Sequence, residues 1–83
     1  MTESEALNML RPVRLYHWRA VVRAQRHAAA CRKDRKHGAA KQYEERAANH
    51  MKHVQALNAF FPADDTADND LQRARASEMK GAA

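Results

Sequence analysis

The sequence predicts an all-α protein built on an antiparallel helical hairpin. Three observations predict it. Eighteen of the 83 residues are alanine, and Arg, Lys, Glu, Gln, Leu and Met supply much of the remainder; these are the strongest helix formers. Material for turns and strands is scarce, with two Gly, two Pro, four Val and no Ile. Two long stretches repeat apolar residues at helical spacing, one on each side of a charged run that ends in glycine. An all-β fold, a doubly wound sheet and a barrel are thereby excluded. Only 11 residues are Leu, Val or Phe, so a lone hairpin buries little apolar surface against its chain entropy. The expectation is therefore a homodimer that completes a helical bundle.

The first element is a short N-terminal helix over about residues 3–10. Thr2 and Glu5 have capping-box spacing, in which the hydroxyl accepts from one orphan amide and the carboxylate reaches back. Pro12 is expected to end it, because proline disfavours helical angles at Arg11. Pro12 also suits the first turn of the next helix.

That second helix runs to about Lys36. Leu15, Trp18, Val22, Gln25 and Ala29 fall on one arc, widened by Val21 and Ala28. A thinner stripe of Val13, His17, Ala20, Ala24, Ala28 and Cys31 lies beside it. The first arc is expected to meet the hairpin partner. The small-residue stripe, with Ala20, Ala24 and Cys31, is the expected interface with a second chain.

The run Arg32-Lys33-Asp34-Arg35-Lys36-His37-Gly38 interrupts both stripes. Basic residues in a last turn oppose the negative helix end, and Gly is the usual residue just past it. A single helix over 12–61, about 75 Å long, is the rival geometry. It would seat Arg32 and Lys36 in the seam of a coiled coil, so the hairpin is the expected form. The third helix covers residues 39–61, with Ala40, Tyr43, Ala47, His50, Met51, Val54, Leu57 and Phe61 on one face and Pro62 closing it. Phe60 falls off that face and is expected to be exposed or in an interface.

Residues 1–62 thus read as a hairpin domain, and 63–83 as an acidic linker followed by a short C-terminal helix in a loose tail. The linker carries Asp64, Asp65, Asp68 and Asp70, and the last helix is weakly apolar through Leu71, Ala74 and Met79, with Lys80 near its end.

Charge is unevenly distributed. The chain carries a net +5, but residues 11–53 alone carry +9 between mildly acidic ends. A basic surface of this kind favours nucleic acid, acidic protein faces or anionic lipid. No apolar run is long enough to span a bilayer. The first ten residues lack the pattern of a signal peptide, and one cysteine, Cys31, builds no internal disulfide. The expected location is a reducing cytoplasm, with no membrane association.

Chemistry-bearing constellations are few. His27 and Cys31 are four apart and His50 and His53 three apart, which is part of a zinc spacing. On the wheel, His27 and Cys31 point away from the Trp18 arc, so the plainer assignment is a core histidine and a small apolar cysteine, and no metal is expected. Glu44 and Glu45 are neighbours in a helix and diverge by about 100°, so they cannot flank a bond. No Gly-rich elbow accompanies Cys31, and a hairpin offers no deep pocket. The Asp64–Asp70 segment lacks the Gly and closing Glu of a calcium loop. The expectation is a non-enzyme without cofactors. The strongest candidate site is a basic row of Arg19, Arg23, Arg26 and Lys33 with Tyr16 beside it, spanning about 21 Å. Arginine grips phosphates and carboxylates in a fork, and Tyr stacks on bases. The plainer reading is a solvated basic face.

The stretches Arg14-Leu15-Tyr16-His17-Trp18-Arg19 and His50-Met51-Lys52-His53-Val54-Gln55-Ala56-Leu57-Asn58-Ala59-Phe60-Phe61-Pro62 resemble small uncharacterised helical proteins of temperate bacteriophages and prophages, over about half of the chain. That resemblance implies no catalytic or binding residues. It implies a host-cell cytoplasmic location and proteins that bind and redirect a host component, anti-defence proteins included. Two functions follow as expectations. The first is a stoichiometric interaction protein that docks the acidic surface of a larger host or phage protein. The alternative is a sequence-nonspecific DNA- or RNA-binding protein using the basic helix face.

Overall fold

A computed structural model describes residues 2–63, 65 and 67–81, without the side chains of 67, 68 and 78–81. The described residues form three helices, α1 (Glu3–Lys33), α2 (His37–Asn58) and α3 (Ala67–Gly81), and no strand. The all-α hairpin with a short C-terminal helix is as the sequence predicts.

The N-terminal cap is the expected one: Glu5 N donates to Thr2 Oγ1 at 3.2 Å. The break expected at Pro12 does not occur, and there is no separate short N-terminal helix. α1 runs through Pro12 without interruption. Proline's fixed φ is itself helical, and its chief penalty is the missing amide. Asn8, whose carbonyl loses that partner, is exposed, as is Pro12, so water can satisfy the carbonyl. Arg11 is also tied by an ion pair to Asp65, which anchors the helix next to the proline.

α1 ends at the charged run, but not at its glycine. Arg35 takes the left-handed conformation with φ 60°. Lys36 N donates to Cys31 O at 2.7 Å, and Arg35 N donates to Arg32 O at 3.0 Å. This bond pair is a Schellman closure with Arg35 in the place glycine usually fills. Gly38 instead lies in the first turn of α2, with open space around it. A salt bridge from Arg32 to Glu44 spans the hairpin just behind the turn.

α1 is the central helix, packed by both α2 and α3. The core joins Trp18, Val21, Val22 and Ala24 of α1 to Ala47 and Val54 of α2 and Ala74 of α3, with Leu15, Met51 and Leu71 partly buried against it. On α2 the expected inner face holds: Ala40, Ala47 and Val54 are buried, and Tyr43, His50, Met51 and Leu57 are half-buried; the helix ends at Asn58, ahead of the expected Phe61, which is buried just beyond it. Phe60 is exposed, as predicted.

The two faces of α1 exchange their expected roles. α2 lies on the small-residue side, where His17 meets His50 and His27 meets Tyr43. Ala24 and Ala28 are buried. α3 takes the larger arc, where Val22, Gln25, Arg26 and Ala29 line a groove with Arg75. Small side chains let α2 approach closely, so this stripe is filled from within the chain. Ala24 is 7% exposed and Cys31 half-buried. Ala20, the third residue of that stripe, is half-buried and lines a hollow beside α2.

The C-terminal segment is docked along α1. Asp70 and Ala74 are buried, and α3 meets Arg14 near its start and the Val22–Ala29 stretch farther on, so it runs parallel to α1. Asp64, together with the side chains of Asp68, Met79 and Lys80, lies outside the described residues.

Candidate functional site: a cationic face and groove

The residues of the basic row lie along the outward part of α1, its edges bordering α2 and α3. Tyr16, Arg19, Arg23, Arg26 and Lys33 are exposed. The row is flanked by two grooves, with Arg23 lining the one shared with α2 and Arg26 the one shared with α3. The structure thus places the five candidates together on one open face.

Three of the described acids are engaged away from this row. Asp65 pairs with Arg11 and Arg14, and Asp70 with Arg14. Glu44 pairs with Arg32 at the turn. Arg14 is the centre of this arrangement and is only 1% exposed. Its Nε donates to Asp70 Oδ2 at 2.5 Å, and its Nη2 donates to Asp65 Oδ1 at 3.0 Å. Nη1 donates to Asn58 Oδ1 at 3.2 Å and to the Asp65 carbonyl at 3.3 Å. The Phe61 ring lies 3.8 Å from the guanidinium carbon. A buried guanidinium is tolerated only when its donors are met in this way. The paired arginines hold the Asp65 carboxyl below the usual carboxylate range, Arg11 contributing most through its hydrogen bond and Arg14 next. The sequence reading placed Asp65 and Asp70 in a solvated linker; they are instead the counter-ions of α1. The signal for this was Arg14 itself, an arginine standing between Val21 and Trp18 on the apolar side of the wheel.

Four of the five histidines line one side of the α1–α2 seam. His17 Nδ1 and His50 Nδ1 lie 2.8 Å apart, so one ring donates and the other accepts. The His53 ring is 4.7 Å from His17 between centroids, and its Nδ1 lies 3.2 Å from the Asn49 carbonyl, which accepts. Tyr16 meets His17 edge-on at 5.2 Å. The His17 imidazole is pushed below its ordinary pKa, first by burial and then by the neighbouring His53 and His50. Toward the turn, His27 stacks on Tyr43 at 5.0 Å, and Arg46 lies over the same Tyr43 ring at 5.2 Å.

His27 and Cys31 therefore do not meet His50 and His53. Among the described residues, no group of three or more His, Cys, Asp or Glu is placed to hold a metal ion. No described helix is long and apolar enough to cross a membrane. The arrangement is suited to gripping anions and stacking on flat or apolar groups, through fixed cations beside aromatic rings.

Compared with known proteins, the chain matches no family model, no curated protein and no solved structure.

Proposed function

We propose that this chain is a non-catalytic binding protein that docks the acidic surface of a larger protein through the outward face of α1. The observation that carries the reading is the exposed row of Tyr16, Arg19, Arg23, Arg26 and Lys33 on a chain whose Asp65 is drawn off to Arg11 and Arg14. Cations held on one rigid helix steer an acidic partner and fix its register. The likeness to small phage proteins supports a host protein as that partner. A second reading, sequence-nonspecific nucleic-acid binding, is favoured by Tyr16 at the end of the row, since an exposed ring beside arginines stacks on bases.

Fluorescence anisotropy separates the two. A labelled DNA duplex, an RNA and a glutamate-rich peptide are titrated at ~50 and ~200 mM salt; six or more phosphate contacts lose about a thousandfold in affinity over that range. Saturable binding of the acidic peptide, lost on Arg19→Glu with Lys33→Glu, supports the first reading. A tight, salt-steep nucleic-acid curve that the same substitutions abolish replaces it with the second. Indifference of every ligand to those substitutions sinks both.

A further inference from the structure

The N-terminal half of α1 carries a stripe that faces solvent. Glu5, Met9, Pro12, Tyr16 and Arg19 share one arc of the helix, and Val13 borders it on the side of α2. All six are exposed. Met9 and Tyr16 are 62% and 63% exposed and Val13 42%, and these three with Phe60 are the exposed large apolar side chains of the described residues. The Tyr16 ring touches His17 and His50 along one edge and turns the rest outward. Phe60 stands at the same end of the hairpin, three residues past Leu57, which shares a hollow with Val13. Single apolar side chains are common on protein surfaces, but a cluster of large ones on one face marks an interface.

The order of charge along the stripe says what covers it. An acid, Glu5, comes before the apolar stretch, and a cation, Arg19, comes after it, about 21 Å farther along the helix. Such a stripe is its own complement when two copies of α1 run antiparallel. A two-fold axis near Pro12 sets Met9 against the partner's Tyr16 and brings Glu5 within reach of the partner's Arg19. Each contact occurs twice. Parallel pairing would instead set Glu5 against Glu5 and Arg19 against Arg19. The chain also gains by the burial, because five of its ten described buried apolar residues are alanine. Met9, Val13 and Tyr16 are larger than most of what that core holds.

We propose that this face is the interface with a second copy of the chain, formed by α1 packing antiparallel on α1 about Pro12. The contact expected from spacing at Ala20, Ala24 and Cys31 thus moves to the neighbouring, open face. Met9 and Tyr16 supply the apolar centre, and the Glu5–Arg19 pairs at its two ends fix register and direction. The pairing goes beyond the docking reading above and changes the surface it describes. Arg26 and Lys33 lie to one side of the stripe. A two-fold axis perpendicular to the paired helices brings both copies of them out on one face of the dimer, with the two Lys33 positions about 60 Å apart. A partner with a long acidic surface then meets two rows in place of one.

The test is a charge swap on the full chain, read by sedimentation equilibrium from about 1 μM to 1 mM, the range in which weak specific pairing is populated. Wild type is expected to pass from monomer to dimer with no larger species. Glu5→Arg alone and Arg19→Glu alone each place like charges together at both ends, and each weakens the dimer about tenfold. The double variant recovers wild-type pairing. An equal mixture of the two single variants forms a heterodimer at least as tight as wild type. Circular dichroism shows all of these chains folded alike, since both positions are exposed. Isotope-filtered NMR on mixed labelled and unlabelled chains shows the Met9 methyl against the Tyr16 ring, and Met9→Glu removes both that signal and the dimer. A monomer throughout the range overturns the proposal. So does a dimer that ignores both single swaps, or one that the double variant fails to restore. Each of these outcomes leaves the docking of an acidic protein to be judged by its own titration.

Discussion

Arg14 Nε donates to Asp70 Oδ2 at 2.5 Å, joining the first helix to the last through a buried bond across 56 residues. The pair is a demanding one, because both charges are buried. Replacing Arg14 with Met strands Asp70 and also removes the hydrogen bonds to Asn58 and Asp65. Loss of one partner of a buried pair costs about 3–5 kcal/mol. Urea denaturation of Arg14→Met should show a loss of that size, with α3 the segment most affected.

Stability should fall in two steps as the solution is acidified. His17 has a folded pKa below its unfolded one. The unfolded chain therefore binds the proton first, and stability drops as pH falls from about 6.5 toward the folded value. Asp65 is likewise depressed, so its stabilisation is present above about pH 4 and is lost as pH falls through the lower folded pKa. Thermal melts across pH 3–8 should show the upper step removed by His17→Gln and the lower one by Asp65→Asn. A wild-type melt that is flat from pH 8 to 5 would contradict the first assignment.

The hairpin turn is not optimised. Arg35 holds a left-handed conformation that glycine adopts without strain, whereas Gly38 spends its freedom inside a helix where an added Cβ meets nothing. Arg35→Gly and Gly38→Ala should each stabilise the chain by about 0.5–1 kcal/mol, and together nearly additively. Chemical denaturation midpoints measure this directly.

Pro12→Ala should also stabilise. It restores an amide that can donate to the Asn8 carbonyl within α1, worth about 1–3 kcal/mol on the proline penalty. Far-UV circular dichroism during a urea titration would show the gain. A decrease would mean that Arg14 depends on the local geometry proline imposes.

Much of this architecture was legible in the sequence. The inner face of α2 follows helical spacing from Ala40 to Leu57, and the burial of Phe61 and exposure of Phe60 just past its end follow the same wheel. The cap at Thr2 follows from its spacing to Glu5. Three features were not legible, for separate reasons. Proline reads as a stop, but at an exposed position flanked by the Arg11–Asp65 tether its cost is small enough for the helix to continue. Glycine reads as the turn, yet the Schellman bonds of Lys36 and Arg35 fix the turn three residues earlier. The partner of each α1 face depends on which helix approaches more closely, and spacing within one helix carries no information about that. For the candidate site, the basic row was visible as a row. The groove beside it was not, because its rungs pair residues of two helices.

The Arg14–Asp70 bond also bears on the order of folding. Contacts between α1 and α2 near the turn close short loops, as Arg32 with Glu44 does across 12 residues. The bond to α3 closes a loop several times longer and must await the end of the chain. Chain-closure entropy rises with loop length, so the hairpin is expected to form first and α3 to dock last. The reverse order governs opening. Amide exchange in α3 should be the fastest among the three helices, and each such excursion uncovers a guanidinium that the closed protein keeps from water.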